Sequence, residues 1–237
     1  MPYFYGIDWT YIVIVLPCIL FAALASASVN STFKKYSKQL STRRISGAEA
    51  ARRVLAANGV GNVRIERVSG NLTDHFDPQT NVIRLSDSVY DSTSTAAIGV
   101  ACHEAGHAVQ YAQGYGPIKL RAAIIPITNI GSKLALPLIL LGILLEAFIS
   151  TSYIFVELGI ACFSLSLLFQ LITLPVEFNA SRRAMQTIED NELLTTEEQR
   201  GAKSTLTAAA MTYVAAVAVS LAQLLRLILL FGGRRRD

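Results

Sequence analysis

The chain reads as a mainly α membrane protein, with four transmembrane helices and a small α+β domain lodged between the first two. Three observations predict this. Apolar residues make up 52% of the 237 residues and charged ones only 16%, a balance too apolar for an ordinary soluble domain. The apolar residues gather into four runs, Tyr11 to Val29, Ala122 to Ser150, Tyr153 to Val176 and Thr205 to Phe231. Each reaches the roughly 20 residues with which a helix crosses about 30 Å of hydrocarbon. Between the first two runs, from Asn30 to Gly116, the composition becomes that of a small soluble domain. Nothing in the runs alternates like barrel strands, so helices must do the crossing.

The elements follow in order. The leader "MPYFYGIDWT" lacks Lys and Arg and contains Asp8, whereas "KKYSKQLSTRR" follows the first run. That polarity predicts an uncleaved anchor with its N-terminus outside rather than a signal peptide. In "SGAEAARRVLAANG", Ser46 and Glu49 form a capping box, Ala50, Val54 and Leu55 an apolar stripe, and Asn58-Gly59 a stop, so this segment is a helix. "NVRIERV" and "NVIRLS" alternate apolar and polar residues as half-buried strands do. The link between them, "SGNLTDHFDPQT", is rich in turn formers. "DSTST" caps a helix from about Thr95 to Gln113, ended by Gly114 and Gly116-Pro117. The second and third runs make a hairpin about Thr151, after which Glu177, following Pro175, is expected to begin a new helix. Thr195 and Glu198 can cap the helix that leads into the fourth run.

Other readings carry little. Cys18 and Cys162 lie in apolar runs and Cys102 beside His103, with no CxxC spacing, so all three read as small buried hydrophobes. The net charge of +4 gathers beside the apolar runs, where anionic headgroups explain it, so nucleic acid is not an expected partner.

The chemistry sits in "ACHEAGHAVQ", Ala101 to Gln110. Residues four apart on a helix share a face, so His103 and His107 point the same way and can hold one divalent ion. Glu104 beside them is placed to act on a metal-bound water. The bland alternative is a buried helix with two hydrogen-bonded histidines. However, three ionisable groups on an apolar helical face are costly unless paired or metal-bound. The small residues Ala105 and Gly106 leave room for a partner helix.

A catalytic zinc site takes three protein ligands. If the His103 helix lies on one side of the membrane, the second run crosses away and the third returns, so Glu177 emerges on the same side. A carboxylate at a helix start, isolated in "LPVEFNA", is the third-ligand candidate.

Four motifs in this order, "HEAGHAVQ" preceded by "DHFDP" and followed by "PVEFNASRRA" and "AAAMTYVAA", resemble those of the YugP-like membrane zinc metallopeptidases, over nearly the whole chain. Those are neutral zinc peptidases, themselves similar to membrane gluzincins of the HtpX-like and prenyl-protease-like kind. The resemblance implies zinc, a zincin-like fold and Glu177 as ligand. In those gluzincins the ligand glutamate opens "ExxAD". Here Ser181 stands where that aspartate would be, leaving Asn179 or Ser181 to orient a ligating histidine.

The expected chain of parts is an N-terminal transmembrane anchor (1–30), a zincin-like catalytic domain with the HExxH helix (31–119), a transmembrane hairpin (120–176), a third-ligand helix with an acidic connector (177–204), and a C-terminal membrane helix with a basic tail (205–237). The expected function is a membrane-anchored zinc metalloprotease with one Zn²⁺, Glu104 as general base, and a peptide or membrane-protein substrate. The alternative is a catalytically inactive metal-binding membrane scaffold. Asn81, Val82, Ile83, Arg84 and Leu85 form a strand expected to offer its edge to an extended peptide. His75 either donates to the oxyanion or is an exposed loop histidine, and Tyr111 and Tyr115 are donors of the same kind. Lys34, Lys35, Lys38, Arg43, Arg44, Lys119, Arg121, Arg182 and Arg183 flank the runs on the side of the site, whereas the turn at Thr151 is flanked by Glu146 and Glu157. This puts the site at the cytoplasmic face of the cell membrane. The tail "RRRD" runs against that rule, and Arg226 is expected to snorkel to an interface.

Overall fold

The computed structural model describes residues 8–149 and 151–232. A π-helical turn, Tyr11–Val15, leads into α1 (Leu16–Tyr36). There follow α2 (Gly47–Ala57), β1 (Arg64–Val68), β2 (His75–Asp77), β3 (Val82–Ser86), α3 (Thr95–Ala112), α4 (Gly116–Leu145), α5 (Tyr153–Asp190) and α6 (Thr196–Phe231). Four helices are long and apolar enough to cross a membrane: Tyr11–Tyr36, α4, α5 and α6. Helix α3, which carries His103 and His107, is not among them.

The chain forms two compact units. One comprises Met1–Leu24, Leu120–Leu174 and Thr212–Asp237, the other Ala25–Lys119 and Pro175–Met211. In the first, Arg226 is buried rather than snorkelling. Its Nε lies 3.3 Å from Asp8 Oδ1, and its guanidinium sits 5.3 Å from the centre of the Tyr11 ring. The partner carboxylate explains the difference, since a buried arginine is tolerated when paired. Asp8 also accepts the Tyr11 amide at 2.7 Å, fastening the start of the first helix. The basic tail lies outside the described residues.

The second unit has its own core, in which Val54 and Leu55 of α2, Ile83 and Leu85 of β3, Ile98 and Val109 of α3, and Ile188 of α5 pack together. Ile83, Leu85 and Ile98 are fully enclosed, and burying one such side chain is worth roughly 1.5–3 kcal/mol. Both helix starts read from the sequence are capped, the one at Thr195 and Glu198 in both directions and α2 by Ser46 alone, the Glu49 carboxylate pairing instead with Arg52 and Arg53. The Ser46 hydroxyl accepts the Glu49 amide at 3.2 Å, and Glu198 accepts the Thr195 amide at 2.9 Å.

Two expectations are corrected. The strand expected to offer a free edge, Asn81 to Leu85, is central: the sheet order is β1-β3-β2. Val82, Ile83 and Arg84 have partners on both sides, β1 in parallel and β2 antiparallel. The reason is that the turn-rich link folds back as the short strand β2. Where β2 stops, the Asp74 carboxylate accepts the Ser86 amide at 2.7 Å in place of a strand. The edge strands are therefore β1 and β2. The second correction concerns Glu177, which does not start a helix. It lies well inside α5, a continuous helix of 38 residues with Pro175 in its interior. Pro175 removes one backbone donor, an interruption that membrane helices tolerate.

Candidate metal centre

Helix α3 is set by its ends. The Ser94 hydroxyl accepts the Ala97 amide at 3.2 Å, satisfying a donor that the first turn leaves open. At the far end Gly114 takes φ +66°, which a glycine adopts without strain. His103 and His107 fall one turn apart within this helix, and their rings meet edge to face with centroids 4.7 Å apart.

Glu177 meets them from α5. Its Oε2 lies 3.3 Å from His103 Nε2 and 3.3 Å from His107 Nε2. Among the described residues, the ligand atoms of these three side chains gather within 4.8 Å of one another. The two backbones can come this close because of Gly106, between the histidines: a Cβ there would stand 2.7 Å from the Ala180 carbonyl oxygen of α5.

The donor set fits a cation. Gln110 is fully buried and its Nε2 donates 2.8 Å to the Val176 carbonyl, which can only accept. The amide oxygen of Gln110 therefore faces His107 Nδ1, at 3.0 Å, and that nitrogen must carry the proton. Neutral His107 then directs its Nε2 lone pair at a carboxylate oxygen. Two acceptors at 3.3 Å in a buried site repel unless a positive charge joins them. Burial works against a charged His107 ring, yet Glu177 and Glu104 hold its pKa above the ordinary value, so the site attracts positive charge. His103 Nδ1 is engaged by Ser181 Oγ at 3.0 Å, which likewise leaves its Nε2 towards Glu177.

Glu104 is buried, and its Oε2 accepts the Phe76 amide at 3.0 Å. That amide belongs to β2, an edge strand, so the sheet holds this carboxylate directly. The Phe76 ring packs edge-on against Tyr111, with centroids 5.8 Å apart. Nearby, burial raises the Asp74 carboxyl above the usual carboxylate range; the Ser86 amide and hydroxyl oppose this and the Glu104 charge adds to it.

The structure thus brings His103, His107, Glu177 and Ser181 together. Asn179 hydrogen-bonds neither histidine and instead accepts from Gln110 Nε2 at 2.9 Å. His75 is not brought to the ligands. It alternates with Phe76, which packs on the core, and sits across from Arg84 on the exposed face of the sheet. Its Nδ1 donates to the Thr73 carbonyl at 2.9 Å. Tyr115 lies beneath the Arg183 guanidinium, 5.9 Å from its ring centre. Gln110 escaped the sequence reading; its signal was an amide in an apolar run, three residues after the second histidine.

A family model described as "Putative neutral zinc metallopeptidase" matches residues 11–232. The chain is 47% identical over 207 residues to "Putative membrane protease YugP" of Bacillus subtilis (strain 168), covering 87% of this chain and 90% of that protein. No solved structure matches.

Proposed function

The chain belongs to the neutral zinc metallopeptidase family, and from that premise we propose that it is a membrane-anchored zinc peptidase whose metal is held by His103, His107 and Glu177. The observation that carries this reading is the convergence of two imidazole Nε2 atoms on one buried carboxylate oxygen. Three ligands of this kind leave one zinc position open, and the ion, when bound, supplies Lewis acidity to the carbonyl and acidifies water.

The remaining work falls to the chain. Glu104 takes the proton of the attacking water and returns it to the leaving amine. With Oε2 fixed by the Phe76 amide, its other oxygen is left for that transfer. An extended peptide would lie along β2, the edge strand beside Glu104, rather than β3, and without the Phe76 amide, which Glu104 already takes. The reading gives no step to His75. Ser181 and Gln110 orient the two histidines. The domain from 31 to 119 is then a zincin-like catalytic part completed by the helix that carries Glu177. Its place at the cytoplasmic surface is supported by the basic residues beside the membrane runs and the acidic flanks of the turn at Thr151.

The test is Glu104→Gln in full-length protein purified in detergent and offered a mixed library of extended peptides. The reading expects bound zinc to be retained and zinc-dependent cleavage to fall about 10²–10⁴-fold. Unchanged cleavage would remove Glu104 from the mechanism, and a wild-type protein that holds zinc but cleaves nothing would favour the scaffold.

A further inference from the structure

We propose that Arg183, Asn179 and Gln110 form a relay of fixed polarity that holds His107 with a proton on Nδ1, so that Nε2 is the nitrogen presented to the metal. The inference rests on the reading of His107 as a ligand.

The relay follows from which groups can donate. Arginine has donors only. Arg183 Nε is 2.7 Å from the Asn179 side chain, so the Asn179 atom facing it is the oxygen. That same oxygen lies 2.9 Å from Gln110, so the Gln110 atom facing it is the nitrogen. The second hydrogen of that nitrogen goes to the Val176 carbonyl at 2.8 Å. The Gln110 oxygen is thereby left to His107 Nδ1 at 3.0 Å, and the imidazole must donate. Flipping Asn179 would set donor against donor at Arg183 and Gln110, and flipping Gln110 would set its oxygen against the Val176 carbonyl and the Asn179 oxygen, inside a buried site. Arg183 is itself anchored, because its Nη1 donates 2.6 Å to Gln113 Oε1.

The relay also ties the two ligand-bearing helices together. Gln110 belongs to α3 and Gln113 caps its C-terminal end, whereas Val176, Asn179 and Arg183 belong to α5, and Val176 immediately precedes Glu177. Gln110, Asn179 and Arg183 are positioning residues: they act on the metal site through His107. A fully buried amide with both its hydrogens and its oxygen engaged is a demanding arrangement for a site whose role is only to fill space.

The experiment measures Zn²⁺ affinity by chelator competition on metal-stripped, full-length protein in detergent. Gln110→Met, which removes the acceptor, is expected to weaken zinc binding about 10–100-fold. Gln110→Glu keeps an acceptor opposite Nδ1 and is expected to bind zinc more tightly than the Met variant. A role in packing alone predicts the reverse order, because Glu buries a charge facing the Val176 carbonyl while Met is a neutral match in shape. If the Met variant does not fold, Arg183→Met carries the test, since it removes the donor that holds Asn179 against Gln110 without touching a ligand. A weaker zinc constant with unchanged metal-free melting is the result expected there. The chain has three histidines, so nitrogen-15 spectra of the metal-free protein can also report the His107 tautomer. They are expected to show a protonated Nδ1 that becomes mixed in Gln110→Met. Zinc affinity within twofold of wild type in Gln110→Met, or in Arg183→Met where that variant stands in, would overturn the relay. A wild-type protein that binds no zinc would instead overturn the metal reading itself.

Discussion

Replacing Gly106 by alanine adds one carbon at the point where α3 meets α5 beside the proposed ligands. That carbon would stand 2.7 Å from the Ala180 carbonyl oxygen and 3.3 Å from the Ala180 carbonyl carbon and Cα. All three atoms are backbone, so no rotamer change relieves the clash. A comfortable carbon–oxygen contact begins near 3.3 Å, so the helices must separate by about 0.6 Å. Zinc–ligand distances tolerate only about 0.2 Å. The metal-free protein can relax by letting α3 drift from α5, whereas the metal-bound one must hold His103 and His107 against Glu177. The strain, about 1–3 kcal/mol for overpacking of this size, therefore appears in the binding constant. Gly106→Ala should bind zinc roughly 5- to 150-fold more weakly, while the metal-free protein melts within a few degrees of wild type. Chelator competition and metal-free melting curves give the two quantities separately. Wild-type zinc affinity in Gly106→Ala would refute the reasoning, because it would mean that ligands on the two helices are not jointly required.

Other outcomes follow from the same geometry. His103→Ala and His107→Ala should each lose tight zinc binding, measured by the same competition. Ser181→Ala should weaken it by about tenfold, since a hydroxyl that orients His103 is removed and the ring retained. The Cys102 thiol is fully buried, and burial pushes its pKa far up; it should resist alkylation at pH 8 in the folded protein and react only after denaturation, as mass spectrometry would read. Asp77 is held below the usual carboxylate range by the Thr80 hydroxyl, the Arg84 guanidinium and the Gln79 amide. Its folded pKa lies under the unfolded value near 3.9, so its stabilisation is complete above about pH 4 and lost as the pH falls through the folded value. Asp77→Asn should accordingly melt lower than wild type at pH 7, and the gap should narrow on acidification.

Much of this architecture is legible because it is written in long-range patterns. Runs of about twenty apolar residues can only be helices in lipid, and the caps at Ser46 and at Thr195 with Glu198 are local hydrogen bonds that recur wherever those residues begin a helix. The spacing of His103 and His107 fixes their common face for the same reason. What is not legible depends on partners distant in sequence. Strand β2 has three residues and lies within a turn-rich link, too short to show alternation, and without it β3 reads as an edge. Pro175 suggests a helix boundary in a single sequence, yet α5 runs through it, so Glu177 sits mid-helix rather than at a helix start. The role of Gln110 could not be seen because two of its partners, Val176 and Asn179, come from another helix. Asn179 and Ser181 read as equivalent second partners from sequence, but one helical position separates a side chain that meets His103 from one that meets Gln110.

The most direct measurement is the zinc content of the purified full-length protein, determined by elemental analysis beside its Glu177→Ala variant. One zinc per chain in the wild type, lost on dialysis from the variant, is the result expected if an ion bridges α3 and α5. Equal zinc retained by both proteins would contradict it.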